Sequence, residues 1–494
     1  MNANAELPLL ALADRIPRDA RRILELVPPG RTTAGRFRQW NPEAAYLTLE
    51  CDGAAPQPAV IRDASAAHGP FDAVILHAPA LLPDPLRLFE ALADALGNGG
   101  ALLVLTAAPG PSWAPEPRAM ATILSAAALI PDLMSPVGNT QAVIVRAVRA
   151  ADGLRRMFIR AMMLKPAAAV NDKRILEPLA FQATLPGVTV QAEVRQIGAV
   201  TANEQRSARV AVLQRSILTR SDLSIPRTLL ARGYIIVAEF DDHPMVWPTI
   251  AENDHMTFRA VHAVQTSTGV LADVLSPFNP ELEIYPNQIA AAPPPRPPRG
   301  DGPVRVFFGA LNRSDDIRPL MPVIKEAIRR YGDRLAFEVV FDKGLFDALP
   351  TEAKSFTPLC PYPVYLDRLR RCDLALLPLA DTTFNRCKSD LKFIECAANE
   401  VVALASPCVY GATVHDGETG WLFRSPEEFR ERLFLLLEDP ARRAATAHQA
   451  RAYVLSERLQ AQHFRRRQEW YWSLVERKAE LDAALYARVP GLRP

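Results

Sequence analysis

The stretch NRCKSDLKFIECAANEVVALASP, residues 385–407, decides the fold. Its first residues are polar and read as a loop. A helix is expected from about Ser389, a good N-cap that would direct free backbone N–H groups toward the loop. Leu391, Ile394 and Ala398 recur at i, i+3 and i+7, so one face of this helix turns to a core. VVALAS then reads as a buried strand. Loop, helix and apolar strand in that order belong to a parallel sheet covered by helices. Lys388 lies just outside the expected helix N-terminus and Lys392 in its first turn, which makes this end an anion site. Glu395, three residues after Lys392, shares a face with it. A carboxylate beyond a phosphate site suits a diol such as ribose, because it accepts two hydroxyl hydrogens at once.

The same alternation extends outward. Residues 304–435 open on the strand VRVFFGA, continue through the helix DIRPLMPVIKEAIRRYG and return to the strands LAFEVVF and DLALLPL. Residues 155–290 repeat the theme with MFIRAMML, ARVAVLQ, YIIVAEFDD, AVHAVQTS and LEIYP. Between those strands, the helix SIPRTLLARG ends on Gly233 as a C-cap should. Residues 21–150 do so again, with RRILELV, AAYLTLECD, FDAVILHA, ALLVLTA and QAVIVRAV as strands and GNGG stopping the helix before ALLVLTA. AAPPPRPPRGDGP, residues 291–303, cannot join a helix or a central strand and reads as a semi-rigid linker. The fold class expected is therefore α/β, three Rossmann-like units in one chain. The boundaries are 1–150, 151–290, the linker 291–303, 304–455, and a helical tail at 456–494.

Composition narrows the function. The chain has 494 residues, 49% hydrophobic and 23% charged, the balance of a globular protein. Lys and Arg number 57 against 55 Asp and Glu, so there is no global charge with which to hold nucleic acid, and any anion site is local. The six cysteines form no CxxC and no zinc-spaced cluster, so reduced buried thiols and no metal are expected. No apolar run reaches the roughly 18 residues of a membrane span, and the N-terminus lacks signal-peptide character. A soluble cytoplasmic protein, with peripheral contact to the inner membrane as the variant, is the expectation.

The segment 385–407 resembles the donor-binding helix of GT-B glycosyltransferases, the two-Rossmann-domain enzymes that use nucleotide sugars. YGATVHDGETGWLF (410–423) is similar to the family's V.DG.TG.L loop, and EEFRERLFLLLEDPARRAATAHQAR to its trailing helices. VRVFFGALNRSDDIRPLMPVI resembles its opening strand, glycine turn and helix. Together these cover residues 304–455. The resemblance implies that Glu395 binds the donor ribose, and that the turn from Gly309 to Asn312 approaches the donor phosphates. The sequence departs from the larger retaining branch of the family. Cys387 stands where that branch has the first Glu of its E-x7-E arrangement, and Ala310, Asp315 and Asp316 stand where its basic residues fall. Arg313, Lys388 and Lys392 are then left to meet the diphosphate.

VAEFDDHP (237–244) resembles the acidic strand end of polysaccharide-making members, which puts Asp242 and His243 forward as base or acceptor anchor. A bland reading competes, in which the Asp caps the next turn and His243 lies on the surface. Asn287 would sit at the hinge. The implied activity is metal-independent transfer of a sugar from a nucleotide sugar to a glycan, lipid-linked or protein acceptor. A non-catalytic scaffold of a glycan-assembly complex and a bifunctional methyltransferase–glycosyltransferase are the alternatives.

Residues 71–107 resemble the later motifs of class I S-adenosylmethionine (SAM) methyltransferases, and 23–52 align with their cofactor-binding first motif. Glu25 survives and Glu50 stands at the second strand end, but Val27-Pro28-Pro29-Gly30 replaces the glycine run. Proline offers no N–H and fixes φ, so SAM is not expected and a degenerate fold kept for stability or docking is. The tail FRRRQEWYWSLVERK has two readings: a basic-aromatic helix on an anionic membrane surface, or a helix that packs back on the middle unit.

Overall fold

A computed structural model describes residues 3–51, 56–77, 84–106, 117–138, 140, 142–163, 169–297, 302–310 and 313–494. It is α/β, built on three six-stranded sheets. The first holds β1 (Arg22–Val27), β2 (Ala45–Glu50), β3 (Phe71–His77), β4 (Leu96–Thr106), β5 (Ile130–Pro136) and β6 (Val143–Val148). Their order is β2-β1-β3-β4-β6-β5, and β6 alone runs antiparallel to its neighbours. The helix Pro85–Ala95 stops just before GNGG, and GNGG itself lies inside β4, where the register with β3 shifts.

The second sheet holds β7 (Met157–Met163), β8 (Val188–Val194), β9 (Ala208–Gln214), β10 (Ile235–Glu239), β11 (Ala263–Thr266) and β12 (Leu282–Ile284). The third holds β13 (Val304–Gly309), β14 (Leu335–Val340), β15 (Lys354–Thr357), β16 (Leu374–Leu377), β17 (Val402–Ala405) and β18 (Trp421–Leu422). Both are wholly parallel, in the orders β12-β11-β10-β9-β7-β8 and β15-β14-β13-β16-β17-β18. Central strands such as β7, β10 and β14 are buried along their whole length, which is why their sequences are continuous apolar runs and not alternating ones. In each sheet the winding direction reverses once, between β7 and β9 and between β13 and β16. At such a switch point the loops diverge and leave a crevice at the carboxyl ends of the strands.

The first two units share one core. Leu12, Ile16, Phe37 and Trp40 pack in the same cluster as Ile159, Val210, Phe181 and Phe464. Arg18 lies between the rings of Trp40 and Phe181, 3.5 and 5.7 Å from their centroids. The buried pair Arg146–Asp132, at 2.7 Å, also donates to the carbonyls of Thr184 and Leu185 in the second unit. The tail helix Gln460–Glu476 crosses back over this core. Phe464 packs edge-on to Phe181 at 5.7 Å, and the Tyr471 hydroxyl donates to Gln265 at 2.8 Å. The basic-aromatic stretch is therefore engaged in packing, with Arg155 stacked 3.9 Å above Trp472. No helix among the described residues is long and apolar enough to cross a membrane.

Candidate functional site

The switch-point ends of the second and third sheets are joined across a crevice. β10 runs into Asp241 and Asp242. Arg215, after β9, holds Asp241 at 2.7 Å and stands 3.9 Å from Asp242. Lys388 reaches over from the third unit, and its ammonium donates to both Asp242 oxygens, at 2.7 and 2.8 Å. The same ammonium lies 4.2 Å from the Phe384 ring centroid. Asp242 also accepts from the His243 backbone N–H. The His243 ring does something else: its Nδ1 accepts from the Met245 N–H at 3.1 Å and caps the short turn Pro244–Val246. The bland reading gave this capping role to the Asp and put His243 on the surface; here the half-buried His243 ring is the cap, which occupies one of its nitrogens.

On the opposite wall, Gly309 ends β13. A Cβ there would lie 2.5 Å from the Phe307 ring and 2.7 Å from the Tyr365 ring, so only glycine fits. Its carbonyl accepts from the Lys392 ammonium at 2.5 Å, and the Tyr365 hydroxyl lies 3.3 Å from the same nitrogen. Burial pushes the Lys392 ammonium below the ordinary lysine range. Arg313 bridges Asp316 at 3.1 Å and the Asn385 side-chain oxygen at 2.8 Å. Asp316 in turn accepts from the Ala380 N–H at 2.8 Å. The acidic residue that departs from the family pattern thus orients Arg313 and the loop after β16. Asn312 lies outside the described residues.

One expectation is corrected. The helix begins at Leu391, and its N-cap is Asp390 and not Ser389. Asp390 is forked by Arg458 at 2.6 and 2.9 Å, while Ser389 Oγ accepts from Asn287 Nδ2 at 2.7 Å. A carboxylate therefore already stands at the helix N-terminus that was read as an anion site. Glu395 is 2% exposed, and its Oε1 accepts from the Tyr362 hydroxyl at 2.7 Å. Burial and the adjacent Glu395 push both Tyr362 and Tyr365 well above the usual phenol range.

The sequence reading missed the network behind the acid strand end. Arg174 donates to Glu239 at 2.7 Å, to the Tyr285 carbonyl at 2.7 Å and to Asn287 Oδ1 at 3.0 Å. Gln265 Nε2 donates to the other Glu239 oxygen at 2.6 Å. Asn287, expected at the hinge, links this buried pair to Ser389 of the third unit, and its carbonyl accepts from Arg458 at 2.9 Å. The one signal available was a charged residue inside an apolar strand, Glu239 in YIIVAEFDD.

In the first unit both carboxylates hold the loop that follows β1. Glu25 is fully buried and accepts from the Thr33 N–H, the Thr33 hydroxyl and the Thr32 hydroxyl at 2.7, 2.7 and 2.5 Å. Glu50 accepts from the Gly30 N–H at 3.2 Å.

No family model matches the sequence, and no curated protein is similar to it at a significant level. Solved glycosyltransferase structures do align with part of the chain. A glycosyltransferase from Rickettsia africae shares 10% identity over 65% of this chain and 99% of its own, with a TM-score of 0.46. Anabaena HepE, in complex with UDP and glucose, shares 13% over 65% of this chain and 100% of its own, at 0.44. TarM of S. aureus, in a variant complexed with fondaparinux, a GlcNAc-glycerol and UDP, shares 9% over 53% of this chain, at 0.39. The match spans little more than half of TarM, 55% of that chain.

Proposed function

We propose that the chain is a glycosyltransferase that takes a nucleotide-sugar donor in the crevice between its second and third sheets. One observation carries this reading: the Lys388–Asp242 pair, which brings a cation from one switch-point wall onto a carboxylate of the other. The pair holds the two groups a transfer needs, and each can serve only if the other lets go. An acceptor hydroxyl attacks the anomeric carbon while the bond from that carbon to the diphosphate oxygen breaks. The leaving diphosphate gains negative charge, which Lys388 and Arg313 are placed to meet. Once Lys388 has turned to the phosphates, Asp242 is free to take the hydroxyl proton. In this reading Lys392 and Glu395 shape the wall, through Gly309 and Tyr362, and do not touch the donor. The first unit acts as a buttress; the engagement of Glu25 and Glu50 by the loop after β1 supports that over SAM binding.

A thermal-shift panel with UDP, GDP, TDP and ADP tests the donor site. Ligand at 100 times its dissociation constant stabilises the native state by about 2.7 kcal/mol, and one nucleotide is expected to stand out. Silence from all four rejects the reading in favour of a scaffold. The scaffold reading has its own support, since Glu395, Lys392 and Asp242 all have partners within the protein.

A further inference from the structure

A second cavity lies at the hinge end of the crevice, bounded by the loops after β11, β12 and β17 and by the tail helix, with a volume near 610 Å³. Five guanidinium or ammonium groups line it against two carboxylates. Four of the cations are paired: Arg386 with Asp381, Lys388 with Asp242, Arg458 with Asp390, Arg466 with Glu283. Arg467 is different. It is 7% exposed, it stacks 4.4 Å from the Tyr285 ring centroid, and among the described residues no carboxylate lies within ion-pair distance of it. A buried guanidinium without a counter-charge is costly, and an anion in the cavity would remove that cost.

Independent of the charge, three polar atoms on the lining residues Ser267, Tyr285 and Gln288 are buried with no hydrogen-bond partner: Oγ, the phenol oxygen and Oε1. Buried polar groups are ordinarily satisfied, so these three orphans, together with the unpartnered Nε of the lining Arg458, need an account. Of the three, two can donate and all can accept, which matches hydroxyl groups and not a bare apolar ligand. We propose that this cavity binds an anionic sugar or polyol. Its phosphate or carboxylate sits on Arg467, and its hydroxyls on Ser267, Tyr285 and Gln288. The size suits one or two sugar rings. The proposal does not rest on donor binding at the switch points.

Calorimetric titration of the full chain with glucose 6-phosphate, glucuronate, glucose and inorganic phosphate tests it. One or both anionic sugars should bind at least about tenfold more tightly than glucose and than inorganic phosphate, the order of a charge-assisted contact. Which of the two binds tells phosphate from carboxylate. Arg467→Met should lose that binding while nucleotide diphosphate binding stays as in the parent chain. Tyr285→Phe removes only an unpartnered hydroxyl, so it should fold normally and weaken the sugar severalfold. Equal affinity for glucose, or unchanged affinity in both variants, overturns the proposal.

Discussion

Asp242→Asn separates the two halves of the proposed chemistry. In the resting structure the Lys388 ammonium sits 2.7 and 2.8 Å from the Asp242 oxygens. The bare attraction at that distance is about 6 kcal/mol at an effective dielectric near 20. Desolvation offsets much of it, because the two side chains are only 23% and 15% exposed. A hydrogen-bonded charged contact nets roughly 1.5–3 kcal/mol, and this is what a nucleotide diphosphate must outbid to recruit Lys388. At about 1.4 kcal/mol per decade, Asp242→Asn should tighten nucleotide binding by about tenfold or more. Lys388→Gln should weaken it by a similar factor. Both variants should lose transfer, for opposite reasons. Calorimetric titration with the nucleotide found in the thermal-shift panel reads the first effect, and product formation from the nucleotide sugar the second. Added salt should narrow the gap between Asp242→Asn and the parent chain, since the contact is ionic. Equal nucleotide affinity in Asp242→Asn and Lys388→Gln would refute the exchange of partners.

Other outcomes follow from the same contacts. Glu239→Leu strands the buried Arg174 and should cost about 3–5 kcal/mol, whereas Arg174→Met with Glu239→Leu should recover a good part of it; chemical denaturation of the three chains measures the coupling. Gly309→Ala forces a Cβ into the Phe307 and Tyr365 rings and should lower stability by roughly 1–3 kcal/mol, read as a fall in melting temperature. Burial holds His262 neutral, its pKa lowered to about 4, with Nδ1 accepting from the Ile236 N–H. The unfolded chain takes up that proton near pH 6.5, so stability should fall as pH drops from about 6.5 toward 4, by roughly 3 kcal/mol in all. A His262 ring signal that titrates near 6.5 by NMR would show the assignment to be mistaken. S-adenosylhomocysteine should leave the melting temperature unmoved, because Glu25 is already saturated by Thr32 and Thr33.

Much of the fold was legible because buried parallel strands write themselves as apolar runs: VRVFFGA, LAFEVVF and VVALAS became β13, β14 and β17. GNGG marked the end of the helix at Ala95, but its place inside β4 was not legible, because glycine marks both helix ends and irregular strands and only the pairing with β3 adds the second role. At the site, the chemical types were readable and the partners were not. Lys388 and Asp242 stood out as charged residues at element ends, yet 146 positions separate them and nothing local joins them. The partner of Glu395 was not legible because Tyr362, which donates to it, comes from a helix 33 residues earlier. Asp316 was read as a loss of positive charge, when its role is to aim Arg313.

The core shared by the first two units sets a schedule for synthesis. Phe181 and Val210 leave the ribosome well before Phe464, Tyr471 and Leu474, which pack in the same cluster. Translation at ~5–20 residues per second leaves that face of the second sheet without its final helix for roughly 13–50 s. The first unit, already made, and the second unit's own segment carrying Ile175, Leu179 and Phe181 cover that face in the meantime. The first α/β layer would then act as a nursing surface for the nascent chain, and its deletion should show first as aggregation during expression and only second as lost activity.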